Sequence, residues 1–185
     1  MDEPNLKLAL LQGKIVVMPT DTIYGIVGSA LTQETVEKIY ALRKRALSKP
    51  MIILISSLED LKKFKVELDS FTLDFLNKHW PAALSVVLPC LSPEFEYLHR
   101  GTKSLAFRMP KNIKLLNLLR QVGPLVAPSA NFEGEKPAEN VEEARKYFGD
   151  EVIYVDGGKL SGQTSTLIEI KNSQVKILRE GAVKV

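Results

Sequence analysis

The sequence is poor in the residues on which most recognisable sites are built: its 185 residues include one cysteine, one tryptophan and two histidines. A lone Cys90 cannot close an internal disulfide or hold a structural metal by itself, which fits a reducing compartment. His79 and His99 stand far apart, beside Lys78 and Arg100. Both are expected at the surface, and neither a histidine triad nor a metal site is expected. No apolar run reaches the roughly 18 residues that a membrane-spanning helix needs. The opening stretch MDEPNLKLALLQGK lacks a basic n-region and a long apolar core, so the expectation is a soluble, cytoplasmic protein with no membrane contact. Charge of neither sign dominates: 25 Lys and Arg against 22 Asp and Glu leave +3, which permits an anionic partner without requiring one. Familiar motifs are missing too. There is no G-x-G-x-x-G after the first strand, no H-E-x-x-H, no C-x-x-C and no G-x-S-x-G. The stretch GGKLSGQT (157–164) carries Gln163 where a P-loop needs Lys, and it precedes a strand.

What is present is an ordinary globular composition, 45% hydrophobic and 25% charged, over a length expected to fold as one domain spanning 1–185. Helical and strand periodicities alternate along it. An apolar helix from Leu6 to Leu11 leads into a β-branched strand at Ile15–Val17, which stops at Pro19. Thr20-Asp21-Thr22 follows, in what reads as a loop that also carries Gly25 and Gly28. Thr32 caps a helix bearing Val36, Ile39 and Tyr40, and Arg43, Lys44 and Arg45 sit at its C-terminal end. Met51–Ile55 is a buried strand, and Ser57 with Asp60 forms a capping box for a short helix. A helix from Ser70 to Trp80 precedes a strand over Ala83–Leu88, and Ser92–Gly101 is a loop. Ser104–Arg108 is a strand ending before Pro110, Asn112 caps a helix that stops at Gly123, and Leu125–Ala127 is a short strand. Asn140 with Glu143 starts a helix ending at Gly149. Strands at Val152–Val155, Thr166–Ile170 and Val175–Leu178 close the chain, the last two as a hairpin. The fold class is α/β with a largely covered sheet, mixed because of that C-terminal hairpin.

Polar clusters recur at strand ends: Thr20-Asp21-Thr22, Arg43-Lys44-Arg45 with Lys49, Arg108, Ser129-Ala130-Asn131, Ser165-Thr166 and Arg179. Singly, each has a local use, as turn capping or as a solvated helix end favoured by the dipole. Gathered into one crevice, several cations and small hydroxyls make an anion site with phosphate as the natural guest. Spacing alone leaves the function open.

PTDTIYGIVGSA (19–30), R-K-R (43–45) before KPMIILI, WPAALSVVLP (80–89), FRMP (107–110), GPLVAPSANFEG (123–134) and DGG (156–158) follow one another in the order of one family. From Gly13 to Gly181 the chain resembles the YrdC/TsaC family of threonylcarbamoyl-adenylate synthases, in its short bacterial form. The resemblance implies a YrdC-like open twisted mixed β-sheet flanked by helices, with a concave anion-binding crevice. It implies a nucleotidyltransferase that makes L-threonylcarbamoyl-AMP and pyrophosphate from ATP, L-threonine and bicarbonate, for modification of the adenosine beside the anticodon of tRNAs reading ANN codons. Magnesium accompanies ATP, and the product is handed to a tRNA threonylcarbamoyl transferase complex, with tRNA contact allowed.

The family's K-x-R…S-x-N tetrad falls on Arg43, Arg45, Ser129 and Asn131, with Arg43 in place of the usual Lys. By resemblance, Arg43, Arg45, Lys49, Ser104, Ser129, Asn131 and Arg179 serve ATP. Thr20, Thr22, Arg108, Ala127 and Ser165 serve threonine, Arg108 gripping its carboxylate as a bidentate fork. Two further departures are Ala82-Ala83 in the family's WPGP and Glu133 where a small residue is usual, which bears on whether the loop from Glu133 to Ala138 contacts ATP. A non-catalytic module for tRNA or double-stranded RNA is the alternative reading. A carbamoyl-adenylate-forming domain of hydrogenase-maturation type is a second one, against which the chain's short length counts.

Overall fold

A computed structural model describes residues 3–185; Met1 and Asp2, the first of the expected 1–185 span, lie outside the described residues. The order is α1 (Glu3–Leu11), β1 (Val16–Pro19), β2 (Tyr24–Ser29), α2 (Gln33–Leu42), β3 (Ile52–Leu54), α3 (Ser70–His79), β4 (Leu84–Pro89), α4 (Glu96–His99), β5 (Ser104–Arg108), α5 (Ile113–Val122), β6 (Leu125–Val126), α6 (Val141–Phe148), β7 (Ile153–Tyr154), β8 (Thr166–Lys171) and β9 (Gln174–Arg179), with 3-10 turns at Leu58–Phe64 and Pro93–Phe95. The strands form one open sheet in the order β7-β1-β2-β6-β3-β5-β4-β8-β9. No helix among the described residues is long and apolar enough to cross a membrane.

The sheet is mixed throughout. β1 and β2 pair antiparallel, β6 runs antiparallel to both β2 and β3, and β4 opposes β5, so the C-terminal hairpin is one source of mixing among several. The pairs β1–β7, β3–β5 and β4–β8 are parallel. That hairpin turns through Asn172 and Ser173, both with positive φ, the backbone that matches the twist of two paired strands.

Because successive strand residues point to opposite faces, the core divides into two clusters. One takes Val17, Ile26, Ile53, Leu84, Val86, Leu105, Phe107, Val126 and Ile168 from the sheet and packs them under α2, α3, α4 and α6. Full burial of a side chain such as Phe107 contributes about 1.5–3 kcal/mol. The other takes Val16, Met18, Val27, Leu54 and Leu125 and packs them under Leu6 and Leu10 of α1 and Leu115, Leu118 and Leu119 of α5. Strands β5, β4 and β8 give nothing to this second cluster. On their side of the sheet α1 and α5 therefore do not cover the face, and the residues that point there include Ser85, Ala106, Arg108 and Leu167, the first three of them buried beneath loops.

Four local expectations are corrected. Gly25 and Gly28 belong to β2 and not to a loop. A Cβ on Gly28 would stand 2.5 Å from Thr35 and 3.1 Å from Ile39, so this glycine lets α2 lie directly on the strand. Thr32 occupies the N-cap position of α2, but its hydroxyl donates to Ser29 Oγ and caps no backbone amide. Asp60 accepts from the backbone amide and hydroxyl of Ser56, so the Ser57–Asp60 box does not form. His99 is buried, its Nδ1 accepting from the Gly101 amide within the tight turn that ends α4, whereas His79 stacks on Phe75. Asn112 and Asn140 cap α5 and α6 as the sequence leads one to expect.

Candidate active site

On the face that α1 and α5 leave free lies a cavity of about 170 Å³, floored by Ile52, Ala106 and Leu167. Each wall comes from a different element. The β1–β2 turn contributes Thr20 and Thr22, the end of α2 contributes Arg43 and Arg45, and the chain leaving β6 contributes Ala127 and Ser129. Arg108 ends β5, Ser165 precedes β8 and Arg179 ends β9. Nine of the twelve expected site residues are thus brought together, on the face of the sheet and not in a crevice beyond its strand ends. The other three stand elsewhere. Ser104 shares a face with Arg108 but lies at the far end of β5, roughly 13 Å along the strand, with its hydroxyl toward Thr102. Lys49 lies outside the lining, paired with Glu133 at 2.6 Å. Asn131 is buried behind the wall, its amide donating to the carbonyls of Phe132 and Glu135.

Arg43 is the organising side chain. Its Nε donates to the carbonyls of Ser129 (2.8 Å) and Asn131 (3.1 Å), and Nη2 donates to Ser129 Oγ (3.2 Å) and Asn131 Oδ1 (3.3 Å). A planar fork makes this four-way tie possible, and a single ammonium does not. Nη1 is buried without a partner among the described residues. Arg45 donates to the carbonyls of Lys49 and Pro50 and so shapes the loop that leads into β3. Glu133 closes that loop from outside, accepting from the Ala46 amide at 2.7 Å as well as from Lys49. These contacts hold its carboxyl down at about 2. The loop from Glu133 to Ala138 does not line the cavity.

Electrostatically the cavity holds four guanidiniums, from Arg43, Arg45, Arg108 and Arg179. Burial, with repulsion from Arg45, pulls Arg43 down to about 10. Burial also lowers Arg108, against the attraction of Asp21 and with the repulsion of Arg179, and it lowers Arg179 itself. Cations crowded out of water in this way are relieved by an incoming anion. Asp21 is the acid that the sequence reading leaves out of the site: its Oδ1 lies 3.0 Å from Arg108 Nη2, with side-chain exposures of 6% and 4%. Among the described residues neither Asp21 carboxylate oxygen has a further hydrogen-bond partner, and Arg108 Nε has none. The signal was the residue itself, an acid between two threonines just after a strand.

The sequence profile of the Sua5/YciO/YrdC family, described as "Telomere recombination", matches residues 8–181. The chain belongs to this family. A family member from Mycobacterium tuberculosis is 33% identical over 180 residues, covering 95% of this chain and 82% of that one. The threonylcarbamoyl-AMP synthase of Pyrococcus abyssi is 31% identical over 177 residues, covering 93% of this chain and 52% of that one. The crystal structure of P. abyssi Sua5 complexed with L-threonine superposes with a TM-score of 0.88 at 29% identity, over 98% of this chain and 55% of that one. The present chain thus spans about half of the Pyrococcus protein and about four-fifths of the mycobacterial one. Escherichia coli YciO, at 20% identity and a TM-score of 0.86, shares the fold. The open mixed sheet flanked by helices is the family's architecture.

Proposed function

We propose that this chain is an L-threonylcarbamoyladenylate synthase, joining L-threonine, bicarbonate and ATP into L-threonylcarbamoyl-AMP with release of pyrophosphate and water. The observation that carries the proposal is the set of four guanidiniums around one small cavity. The threonine amine adds to the bicarbonate carbon and water leaves, giving a carbamate. A carbamate oxygen then attacks the α-phosphorus, and pyrophosphate departs. The difficulty is to assemble several anions at one phosphorus. Fixed cations in a site of low dielectric meet it without reorganisation during the reaction. No nucleophilic side chain is required, since positioning alone can supply roughly 7–11 kcal/mol.

A cavity of about 170 Å³ is smaller than the clefts of about 300–1,000 Å³ that take drug-sized ligands, which suits an amino acid better than a whole nucleotide. Threonine therefore takes the enclosed end beside Arg108, Thr20 and Ser165, and the nucleotide lies across the mouth beside Arg43, Arg45 and Ser129. ATP enters as its magnesium complex, with the metal on phosphate oxygens. The product is handed to a transferase acting on tRNA. Against a non-catalytic RNA-binding module stands the burial of Arg43 and Arg108, 2% and 3% exposed, because a surface that tracks a phosphate backbone needs its cations in solvent. Incubation with ATP, labelled bicarbonate and each amino acid in turn, followed by mass spectrometry, tests the substrate. Label in threonylcarbamoyl-AMP is expected, and label in serylcarbamoyl-AMP alone refutes the assignment.

A further inference from the structure

Ser85, on the cavity side of β4, meets Ser165 in a contact that the proposed function does not use. The two hydroxyl oxygens lie 2.8 Å apart, and their residues are 0% and 1% exposed. Ser165 lines the cavity, and Ser85 sits behind it, paired across β4 and β8 with Leu167. Arg179 Nη2 donates to the Ser165 carbonyl at 2.8 Å and to Ser165 Oγ at 3.3 Å.

A serine hydroxyl has one proton to donate and two lone pairs to fill. Two protons thus compete for a single oxygen-to-oxygen contact. If Ser165 donated to Ser85, the Ser85 proton would be left without an acceptor in a fully buried position, because Ser85 Oγ shows no other partner among the described residues. If Ser85 donates to Ser165, its own proton is satisfied. Both lone pairs of Ser165 Oγ are then filled, one by Ser85 and one by Arg179. The remaining Ser165 proton is free for the cavity.

We propose that Ser85 is a positioning residue that fixes Ser165 as a donor-only group, so that Ser165 takes an oxygen of the amino-acid substrate and excludes its ammonium from that spot. The assignment rests on the reading of Ser165 as part of the threonine subsite. It adds a specificity determinant one layer behind the cavity wall and orients the substrate, with the carboxylate or hydroxyl oxygen at Ser165 and the amine elsewhere.

The test is steady-state pyrophosphate release from ATP in the full chain, varying L-threonine, in Ser85→Ala, Ser85→Cys, Ser165→Ala and the Ser85→Ala/Ser165→Ala double variant. Loss of one neutral hydrogen bond predicts a rise of about fivefold to tenfold in KM for threonine in Ser85→Ala, with kcat and KM for ATP within about twofold and little change in Tm. Ser85→Cys fills the same space with a weak donor and moves KM in the same direction. A packing role would leave the Cys variant unchanged and overturns the proposal. Because Ser85 acts through Ser165, the double variant matches Ser165→Ala, and additive losses overturn the coupling. Wild-type KM for threonine in Ser165→Ala refutes the threonine-subsite reading itself.

Discussion

Arg108 Nη2, in the lining of a cavity whose charged side chains are all guanidiniums, stands 3.0 Å from Asp21 Oδ1, which lies outside that lining, and both side chains are more than nine-tenths withdrawn from water. Arg108 thereby faces a resident carboxylate and, in the proposed reaction, the carboxylate of threonine. A guanidinium has five donors in a rigid fork and can serve both, whereas an ammonium must choose. Arg108→Lys is expected to weaken threonine binding by about 1–3 kcal/mol, about 5-fold to 150-fold, and ATP binding much less. Titration calorimetry with each ligand separates the two. Lost ATP binding with intact threonine binding would move Arg108 to the nucleotide subsite.

Arg43→Lys restores the residue usual in the family and on that pattern alone should be silent. The structure predicts the contrary. Nε and Nη2 of Arg43 make four contacts with Ser129 and Asn131, and a lysine in the same place can keep few of them. With charged hydrogen bonds contributing about 1.5–3 kcal/mol each, activity should fall at least about tenfold, accompanied by a lower Tm. Pyrophosphate release and thermal unfolding of the same preparation decide it. Full activity at an unchanged Tm would mean that the 129–131 segment holds its shape unaided.

Glu133 couples the basic loop to pH. Its carboxyl sits at about 2 in the fold against an ordinary 4.5, lowered first by the Ala46 amide and then by Lys49. A depressed carboxyl stabilises the fold above its unfolded value and ceases to do so as pH falls through its folded value. The difference in urea midpoint between the parent and Glu133→Gln is therefore full at pH 6, shrinks below about pH 4.5, and is gone near pH 2. A difference that stays constant from pH 6 to pH 3 contradicts the arrangement.

Much of this site is legible in the sequence, for identifiable reasons. Strand β5 is bounded by its own residues, with Pro110 stopping it just beyond Arg108, and the Asn112 and Asn140 caps are local hydrogen bonds that need no tertiary information. Other features depend on partners distant in sequence. Gly28 reads as a loop glycine until Thr35 and Ile39 are brought against it. His99 is polar by type but is buried by the turn that folds over it. The half of the sheet that α1 and α5 leave free, which holds the cavity, depends on where those helices lie, and no periodicity records that. Asp21 stands in full view between two threonines, yet its pairing with Arg108 joins residues far apart in the chain.

The central claim is that the four arginines assemble three separate substrates at one phosphorus. Pyrophosphate release from ATP, followed with threonine and bicarbonate each present or absent, tests it most directly. The predicted result is release only when both are present, with threonylcarbamoyl-AMP formed in equal amount and Arg45→Ala at least about tenfold slower. Release indifferent to threonine, or persisting in carefully decarbonated buffer, would contradict the account.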